Sequence, residues 1–112
     1  MKFDTIIIGG GLSGLISGIY LSQRGQRCVI ISSGQSALHF SSGSFDLLNN
    51  LPDGTSVQKP LDAISELVKQ APTHPYAKLG ETKFKELAQQ AEEFFKNAGI
   101  STQGNHEENH YR

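Results

Sequence analysis

A parallel α/β fold is predicted by three features near the start of the chain. Phe3–Ile8 is an isoleucine-rich apolar run, which is typical of a buried parallel strand. Leu12–Tyr20 places apolar residues at helical spacing on one face, and Arg24-Gly25 supplies the stop signal. Arg27–Ile31 is a second apolar run. A strand, a helix and a strand within about thirty residues form a βαβ unit with a right-handed crossover.

The turn between the first strand and the helix has the spacing Gly9-x-Gly11-x-x-Gly14. In a dinucleotide-binding fingerprint the first glycine permits the tight turn, the second lets the backbone approach a phosphate, and the third lets the helix pack on the strand. We therefore predict a Rossmann-like FAD/NAD(P)-binding unit over residues 1–34, in preference to a glycine turn without a ligand. The candidate cofactor-binding residues of this turn are Gly9, Gly10, Gly11, Leu12, Ser13 and Gly14.

The end of the second strand lacks the acidic residue that usually binds the ribose hydroxyls of an adenine dinucleotide. Ser32 and Ser33 occupy that position, and both are further candidate cofactor-binding residues. A serine hydroxyl still forms hydrogen bonds, so a dinucleotide remains open. The missing carboxylate favours a cofactor with one phosphate, such as FMN. Cys28 within this strand is expected to be a small buried apolar residue.

The rest of the chain divides into a loop and a helical part. Residues 35–59 are rich in serine, glycine and asparagine and are predicted to form a loop, with a turn at Pro52-Asp53-Gly54. Residues 60–112 are predicted to contain helices at Pro60–Gln70 and Thr82–Ala98, followed by the start of a strand at Ile100.

The polar tail carries two histidines four residues apart, His106 and His110, with Glu107 between them. The segment has no helical apolar face and no persuasive set of metal ligands, so we expect a solvated tail. No metal site is predicted elsewhere.

Composition excludes several classes of function. The chain has 112 residues and a formal net charge of −1, which provides no electrostatic footprint for nucleic acid. One cysteine rules out an intrachain disulfide and fits a reducing, cytosolic setting. The apolar stretch after Met1 is interrupted by Asp4 and several glycines, which argues against a signal peptide or a membrane span.

The predicted sheet is incomplete. Two or three strands leave unpaired edges and cannot cover the apolar faces of both long helices. We therefore expect the chain to be the N-terminal part of a longer protein, and to be aggregation-prone, oligomeric or marginally folded, with weak cofactor binding, when produced alone.

Several stretches resemble one enzyme family. The shared sequences are Phe3-Asp4-Thr5, Gly9-Gly10-Gly11-Leu12, Gly34 to Ser44, Asp46-Leu47-Leu48, Leu51-Pro52-Asp53-Gly54 and Ala71-Pro72-x-His74-Pro75-Tyr76. Together they resemble the B subunit of the bacterial anaerobic glycerol-3-phosphate dehydrogenases, up to about Gly104. The glycine turn is widespread, whereas the string from Gly34 to Ser44 is far more specific. The chain would correspond to the first quarter of such a polypeptide.

The resemblance implies a flavoprotein component that carries FMN, with FAD as the alternative. The family oxidises sn-glycerol 3-phosphate to dihydroxyacetone phosphate and passes electrons towards menaquinone. It pairs the B subunit with an FAD-containing A subunit, and an iron–sulfur C subunit attaches both to the inner membrane. The resemblance thus implies a cytoplasmic protein that is peripheral to that membrane.

By analogy with related two-domain flavoproteins, a serine-glycine loop would lie near the flavin. Its residues are Ser41, Ser42, Gly43 and Ser44. His39 would either adjoin the flavin or act as a structural hydrogen-bond partner. The catalytic residues stay unassigned. Two other functions remain open: a free-standing FAD- or NAD-dependent oxidoreductase, and a non-catalytic fragment that binds no cofactor.

Overall fold

A computed structural model describes residues 1–109 of the chain. The described elements are β1 (Thr5–Ile8), α1 (Leu12–Ser22), β2 (Cys28–Ile31), a 3₁₀ helix (Ala37–Phe40), α2 (Ile64–Gln70) and α3 (Pro75–Asn97). They form two compact units, an N-terminal unit of Met1–Ser44 and a C-terminal unit that starts at Phe45. Within residues 1–109, no helix combines the length and the apolar character needed to cross a membrane.

The N-terminal unit contains the predicted βαβ arrangement. β1 and β2 pair in parallel, in a register that runs from Thr5 opposite Cys28 to Ile8 opposite Ile31. At the start of the sheet, the Arg27 N–H donates to Asp4 Oδ2 at 2.8 Å, and the Asp4 N–H donates to the Arg27 carbonyl at 2.9 Å. These reciprocal bonds fix the register, and the predicted α/β class with a small parallel sheet is confirmed.

α1 packs closely on one face of this sheet because its contact point is a glycine. Gly18 is buried, and a Cβ at this position would lie 3.2 Å from Ile30 Cδ1 and 3.4 Å from Ile7 Cδ1. Both distances are at or inside ordinary van der Waals contact. The helix axis therefore lies as near to the strands as backbone and isoleucine methyl groups permit.

The opposite face of the sheet is open. Side chains alternate across a strand, so Ile6 and Ile8 point away from the face that Ile7 presents to α1. Ile6 is 62% exposed, Ile8 is 88% exposed, and Ile31 on the neighbouring strand is 55% exposed. The sequence predicted that both strands would be buried, but this face is exposed. Within residues 1–109 the sheet has two strands, and a helix packs against one face only.

The C-terminal unit has its own apolar core. α2 and α3 pack against each other and against the loop that precedes them. The core cluster consists of Leu48, Leu51, Val57, Ile64, Leu67 and Phe84. α2 begins at Ile64 rather than at Pro60, and residues 60–63 form a turn in which the Leu61 carbonyl accepts from the Ile64 N–H at 3.3 Å.

α3 is longer than predicted. The expected helix at Thr82–Ala98 is joined to an extra N-terminal segment that starts at Pro75, whose missing N–H costs nothing at a helix start. The His74 ring Nδ1 accepts from the Tyr76 N–H at 3.2 Å and caps this start. Gly80, with φ of 75° and ψ of 166°, breaks the helix between the two segments. Residues 71–74 form a turn between α2 and α3, and the helix starts at Pro75.

Two predictions for the last described residues were wrong. Ile100 does not begin a strand; its N–H donates to the Phe95 carbonyl at 2.9 Å and closes the end of α3. His106 is only 9% exposed, and its backbone N–H and ring Nδ1 lie 2.6 Å and 2.8 Å from Glu92 Oε1. His106 is thus held by α3, although its neighbours at 105, 107 and 108 are exposed, and His110 lies outside the described residues.

Candidate phosphate-binding site

The predicted glycine turn lies at the carboxyl end of β1. The Gly9 N–H donates to the Ile31 carbonyl at 2.8 Å and continues the pairing of the two strands by one bond. Gly9 then adopts a φ of +112°, which side-chain-bearing residues rarely reach, and redirects the chain. Three residues later α1 begins at Leu12. The sequence therefore produces a strand, a glycine turn and a helix start, as the fingerprint requires.

The start of α1 presents unsatisfied N–H groups. The Leu15 N–H donates to the Gly11 carbonyl at 3.0 Å, and within residues 1–109 no protein acceptor bonds to the N–H groups of residues 10–14. No side chain caps the helix, and no acidic residue lies in its first turn. The positive end of the helix dipole lies at the same place. An anion such as a phosphate would satisfy these donors without competition from a carboxylate.

The glycines of the turn differ in the space around them. A Cβ on Gly11 would have no heavy atom within 4 Å, so open space lies beside the start of the helix. A Cβ on Gly14 would overlap the carbonyl oxygen of Gly9 and come within 3.3 Å of Ile7 Cγ2. Gly14 is thus required for packing of the helix on the strand, whereas Gly11 leaves room for a ligand. The residues present fit a phosphate group.

Ser32 adjoins the glycine turn from the second strand. A Cβ on Gly10 would lie 3.0 Å from Ser32 Oγ and 3.1 Å from Ser32 Cβ, so the Ser32 side chain lies close to the Gly10 backbone. Ser33 follows as an exposed residue. Asp4 is the single acidic residue of residues 1–44 and lies at the opposite end of β1, bonded to Arg27. The hydrogen bond from the Arg27 N–H, followed by that from its guanidinium, holds the pKa of Asp4 below its usual range.

The side chains of the serine-glycine loop bond within the loop, whereas the Ser41 N–H donates to the Leu38 carbonyl at 3.3 Å. The Ser42 and Ser44 hydroxyls are 2.6 Å apart, and the Gly43 N–H donates to Ser41 Oγ at 3.3 Å. All four residues of the loop are exposed. Within residues 1–44, no hydrogen bond joins this loop to the glycine turn. The turn and Ser32 are therefore brought together, and the Ser41–Ser44 loop is not.

His39 precedes this loop in the 3₁₀ helix. Its ring meets that of Phe40 edge to face, with centroids 5.1 Å apart. Ser36 begins this helix, and its hydroxyl accepts from the Leu38 N–H at 3.1 Å. Within residues 1–109, no group of three His, Cys, Asp or Glu side chains is arranged to hold a metal ion.

An open apolar groove of about 550 Å³ runs between α1 and β2 and was not predicted from the sequence. It is lined by Leu15, Gly18, Ile19, Ser22, Gln23, Cys28 and Ile30. Cys28 was expected to be buried, but it is only partly so because it lines this groove. The groove forms because apolar residues of α1 and β2 are left uncovered. Their spacing in the sequence does not show whether another part of the protein packs against them.

Comparison with known proteins gives a family and close relatives. Residues 4–112 match the family described as FAD binding domain. The B subunit of anaerobic glycerol-3-phosphate dehydrogenase from Pectobacterium atrosepticum is 53% identical over the whole chain, and that from Yersinia pestis is 55% identical. The corresponding protein of Haemophilus ducreyi is 49% identical. No solved structure matches the chain.

The chain spans about a quarter of the length of these relatives, 27% for the first two and 26% for the third. The predicted resemblance to the B subunit of the anaerobic glycerol-3-phosphate dehydrogenases is confirmed. The family description favours FAD over FMN, so the preference for FMN drawn from Ser32 gains no support.

Proposed function

This chain belongs to the FAD binding domain family, and we propose that it supplies the phosphate-binding segment of a flavoprotein dehydrogenase. The observation that carries the proposal is the start of α1, where the N–H groups of residues 10–14 bond to no protein acceptor within residues 1–109. The open space beside Gly11 adjoins them. A flavin phosphate matches this arrangement in charge and in the hydrogen bonds it accepts.

The residues proposed to hold the cofactor have different roles. The backbone of Gly9–Gly14 would bind the phosphate, and the Ser13 hydroxyl at the helix start adds a further donor. Ser32 and Ser33 would bind polar groups beyond the phosphate. The loop of Ser41–Ser44 would lie near the isoalloxazine ring, where its small hydroxyl residues suit polar atoms. A bound flavin supplies reversible two-electron chemistry, and the protein supplies binding and orientation.

We propose FAD as the cofactor, with FMN as the alternative that the same experiment distinguishes. The family description supports FAD. Ser32 then replaces the usual carboxylate as the group that meets the adenosine ribose, through a hydroxyl that adjoins Gly10. A neutral serine forms a weaker hydrogen bond than a carboxylate does, so the adenosine half would contribute less to affinity.

The names of the relatives support a more specific activity. We propose that the chain is part of the B subunit of an anaerobic glycerol-3-phosphate dehydrogenase, which oxidises sn-glycerol 3-phosphate to dihydroxyacetone phosphate and passes electrons to menaquinone. Its partners would be an FAD-containing A subunit and an iron–sulfur C subunit. The complex would be cytoplasmic and attached to the inner membrane through the iron–sulfur partner.

The proposal divides the chain into three segments. Residues 1–34 would form the phosphate-binding unit, residues 35–59 the loop beside the flavin, and residues 60–112 the helical part. The alternatives are a free-standing FAD- or NAD-dependent oxidoreductase and a fragment that binds no cofactor.

A chain exchange tests the activity. Residues 1–112 would replace the matching segment of the Pectobacterium atrosepticum relative, and the complex would be assayed for glycerol 3-phosphate oxidation with a menaquinone analogue. The proposal predicts activity of the complex and FAD released on denaturation from the exchanged B subunit, purified apart from the FAD-containing A subunit, and predicts that Gly11→Val in the exchanged segment abolishes both. A folded, assembled complex whose B subunit carries no flavin would contradict the proposal. FMN released from the B subunit would overturn the choice of FAD.

A further inference from the structure

The start of α3 is capped by a histidine ring. His74 has a φ of −59° and a ψ of 140°, the extended conformation that N-cap residues adopt. Its ring Nδ1 accepts from the Tyr76 N–H at 3.2 Å, and its carbonyl accepts from the Lys78 N–H at 3.0 Å. Pro75 between them has no N–H that needs an acceptor. An imidazole therefore has the capping role that serine, threonine, asparagine or aspartate usually has.

This cap differs from the usual ones because its acceptor atom can bind a proton. A neutral imidazole has an available lone pair on only one of its two ring nitrogens, and the cap uses the one on Nδ1 of His74. A protonated ring carries hydrogen on both nitrogens, so two N–H groups would face each other at this point. The positive charge would also lie beside the partly positive N–H groups of the helix start. Proton binding to His74 thus removes the acceptor of the Tyr76 N–H.

The helical segment that depends on this cap is short because Gly80 interrupts α3. Gly80 has a φ of 75° and a ψ of 166°, which separates the turn Pro75–Leu79 from the longer part of the helix. The longer part is fixed in the core by Phe84, which is only 4% exposed. The short turn contacts the core through Tyr76, whose ring centroid lies 4.5 Å from that of Phe84. The turn can therefore open while the helix beyond Gly80 stays in place.

We infer that His74 is an acid-sensitive latch, which holds the Pro75–Leu79 turn in helical form when its ring is neutral and releases the turn when the ring binds a proton. Histidine is the side chain that ordinarily changes its charge between about pH 5 and 8. Loss of a capping side chain shifts a helix equilibrium by about fivefold, so the opened population of this turn should rise by about that factor on protonation. The latch does not involve the glycine turn and does not rest on the proposed function.

The groups that face the ring do not supply the same response. The Tyr76 ring, with its centroid 4.9 Å from that of His74, carries a phenol, and phenols are ordinarily neutral in this pH range. Lys78 and Glu81 of α3 are exposed. Within residues 1–109, no carboxylate forms an ion pair with the His74 ring. No neighbouring carboxylate is therefore positioned to compensate the charge of a protonated ring.

The charged groups of α2 and of the loop before it keep their charges over this range. The side-chain hydrogen bond from Lys69 holds the pKa of Glu66 below its usual range, and the same bond raises the pKa of Lys69. The Thr55 N–H lowers the pKa of Asp53. These groups therefore do not change charge between about pH 5 and 8, and an opening of the α3 start in that range would not originate from them.

Hydrogen exchange followed residue by residue by NMR on the full chain tests the latch, after correction for the intrinsic exchange rate at each pH. Between about pH 8 and pH 5, the protection of the amides of Tyr76, Lys78 and Leu79 should fall about fivefold. The amides of residues 84–88, which lie in the same helix beyond Gly80, should keep their protection. Unchanged protection of the first group over this range would overturn the inference, and so would an equal fall in both groups.

His74→Asn is the matched control, because asparagine caps a helix through an oxygen that binds no proton in this range. Its amides at the start of α3 should be protected as in the neutral wild-type protein at both pH values. His74→Ala, which has no capping atom, should be about fivefold less protected at both. The same pH dependence in His74→Asn as in the wild-type protein would assign the response to another group and overturn the inference.

The tautomer of the neutral ring provides a second readout. The latch requires hydrogen on Nε2 of His74 and a lone pair on Nδ1, and the chemical shifts of the ring nitrogens at about pH 8 distinguish the two tautomers. Hydrogen on Nδ1 in the folded protein would overturn the inference even if the exchange rates varied with pH.

Discussion

The Cα of Gly14 lies so close to the carbonyl oxygen of Gly9 that a Cβ on Gly14 would overlap this oxygen. The contact joins the first turn of α1 to the end of β1. Gly11, three residues earlier, has no heavy atom within 4 Å of an added Cβ. Gly14 is thus needed for the fold, whereas Gly11 borders open space.

Gly14→Ala should therefore destabilise the N-terminal unit by about 1–3 kcal/mol, the usual cost of overpacking, because a backbone carbonyl must move. Gly11→Ala is the matched control and should leave the fold intact, since Gly11 has a φ of −75° that alanine adopts readily. Circular dichroism and exchange protection of α1 measure the difference. Equal protection in the two variants would show that the Gly9–Gly14 contact is not needed.

The N-terminal elements could be predicted from the sequence because their signals are local. Glycine spacing, helical periodicity and a second apolar run define β1, α1 and β2 to within a few residues. Ser32, which directly follows β2, lies next to the turn because parallel strands end at one edge of a sheet. The role of these residues in cofactor binding remains a prediction.

Other features depend on contacts between residues far apart in the chain, which periodicity cannot reveal. His106 lies in a polar segment, yet Glu92 of α3 binds its backbone and ring, and this partner is fourteen positions away. The helical segment before Gly80, which starts at Pro75, was not predicted from the sequence, and helix continues on both sides of Gly80. Whether a face of the sheet is exposed likewise depends on the strands and helices that pack next to it, and two apolar runs in the sequence do not specify these.

Ser32→Glu should increase the affinity for FAD by about tenfold, because a carboxylate accepts ribose hydrogen bonds more strongly than a hydroxyl does. The affinity for FMN, which lacks the adenosine ribose, should change little. Fluorescence titrations with each flavin measure both. Ser22→Glu is the control, since Ser22 lies at the other end of α1 from the glycine turn. Equal gains for FAD and FMN would contradict a ribose contact at Ser32.

The Asp4–Arg27 pair makes the stability of the sheet depend on pH. The pKa of Asp4 is held below its usual range by the Arg27 N–H, so this carboxylate stabilises the folded state above the unfolded pKa of about 3.9. The contribution is lost as the pH falls through the lower folded pKa. Asp4→Asn should therefore flatten the acid dependence of exchange in β1 and β2.

The C-terminal unit provides the internal comparison for this pH experiment. The pKa of Asp53 is also lowered, chiefly by the Thr55 N–H, so acid should still weaken the loop before α2 in the Asp4→Asn variant. If the acid dependence of β1 and β2 is unchanged in this variant, Asp4 does not stabilise the sheet.

Asn109 ties the last described residues to the loop before α2. Its Nδ2 donates to the Leu48 carbonyl at 2.9 Å and to the Val57 carbonyl at 2.6 Å. Asn109→Ala should destabilise the C-terminal unit by about 1–3 kcal/mol, because two carbonyls near the core lose their donor. Urea denaturation followed by helical circular dichroism measures this loss. Asn105→Ala is the control, since Asn105 bonds only exposed N–H groups, and an equal loss would contradict the role of Asn109.

The central claim is that the glycine turn binds the flavin phosphate, and a titration of the chain with FAD tests it most directly. Wild-type protein and Gly11→Val would be compared by flavin fluorescence, with exchange protection of α1 as the check that the fold persists. The added side chain would occupy the space beside the helix start, so FAD binding should fall by at least about a hundredfold while α1 stays protected. Equal FAD affinity in the two proteins would contradict the claim.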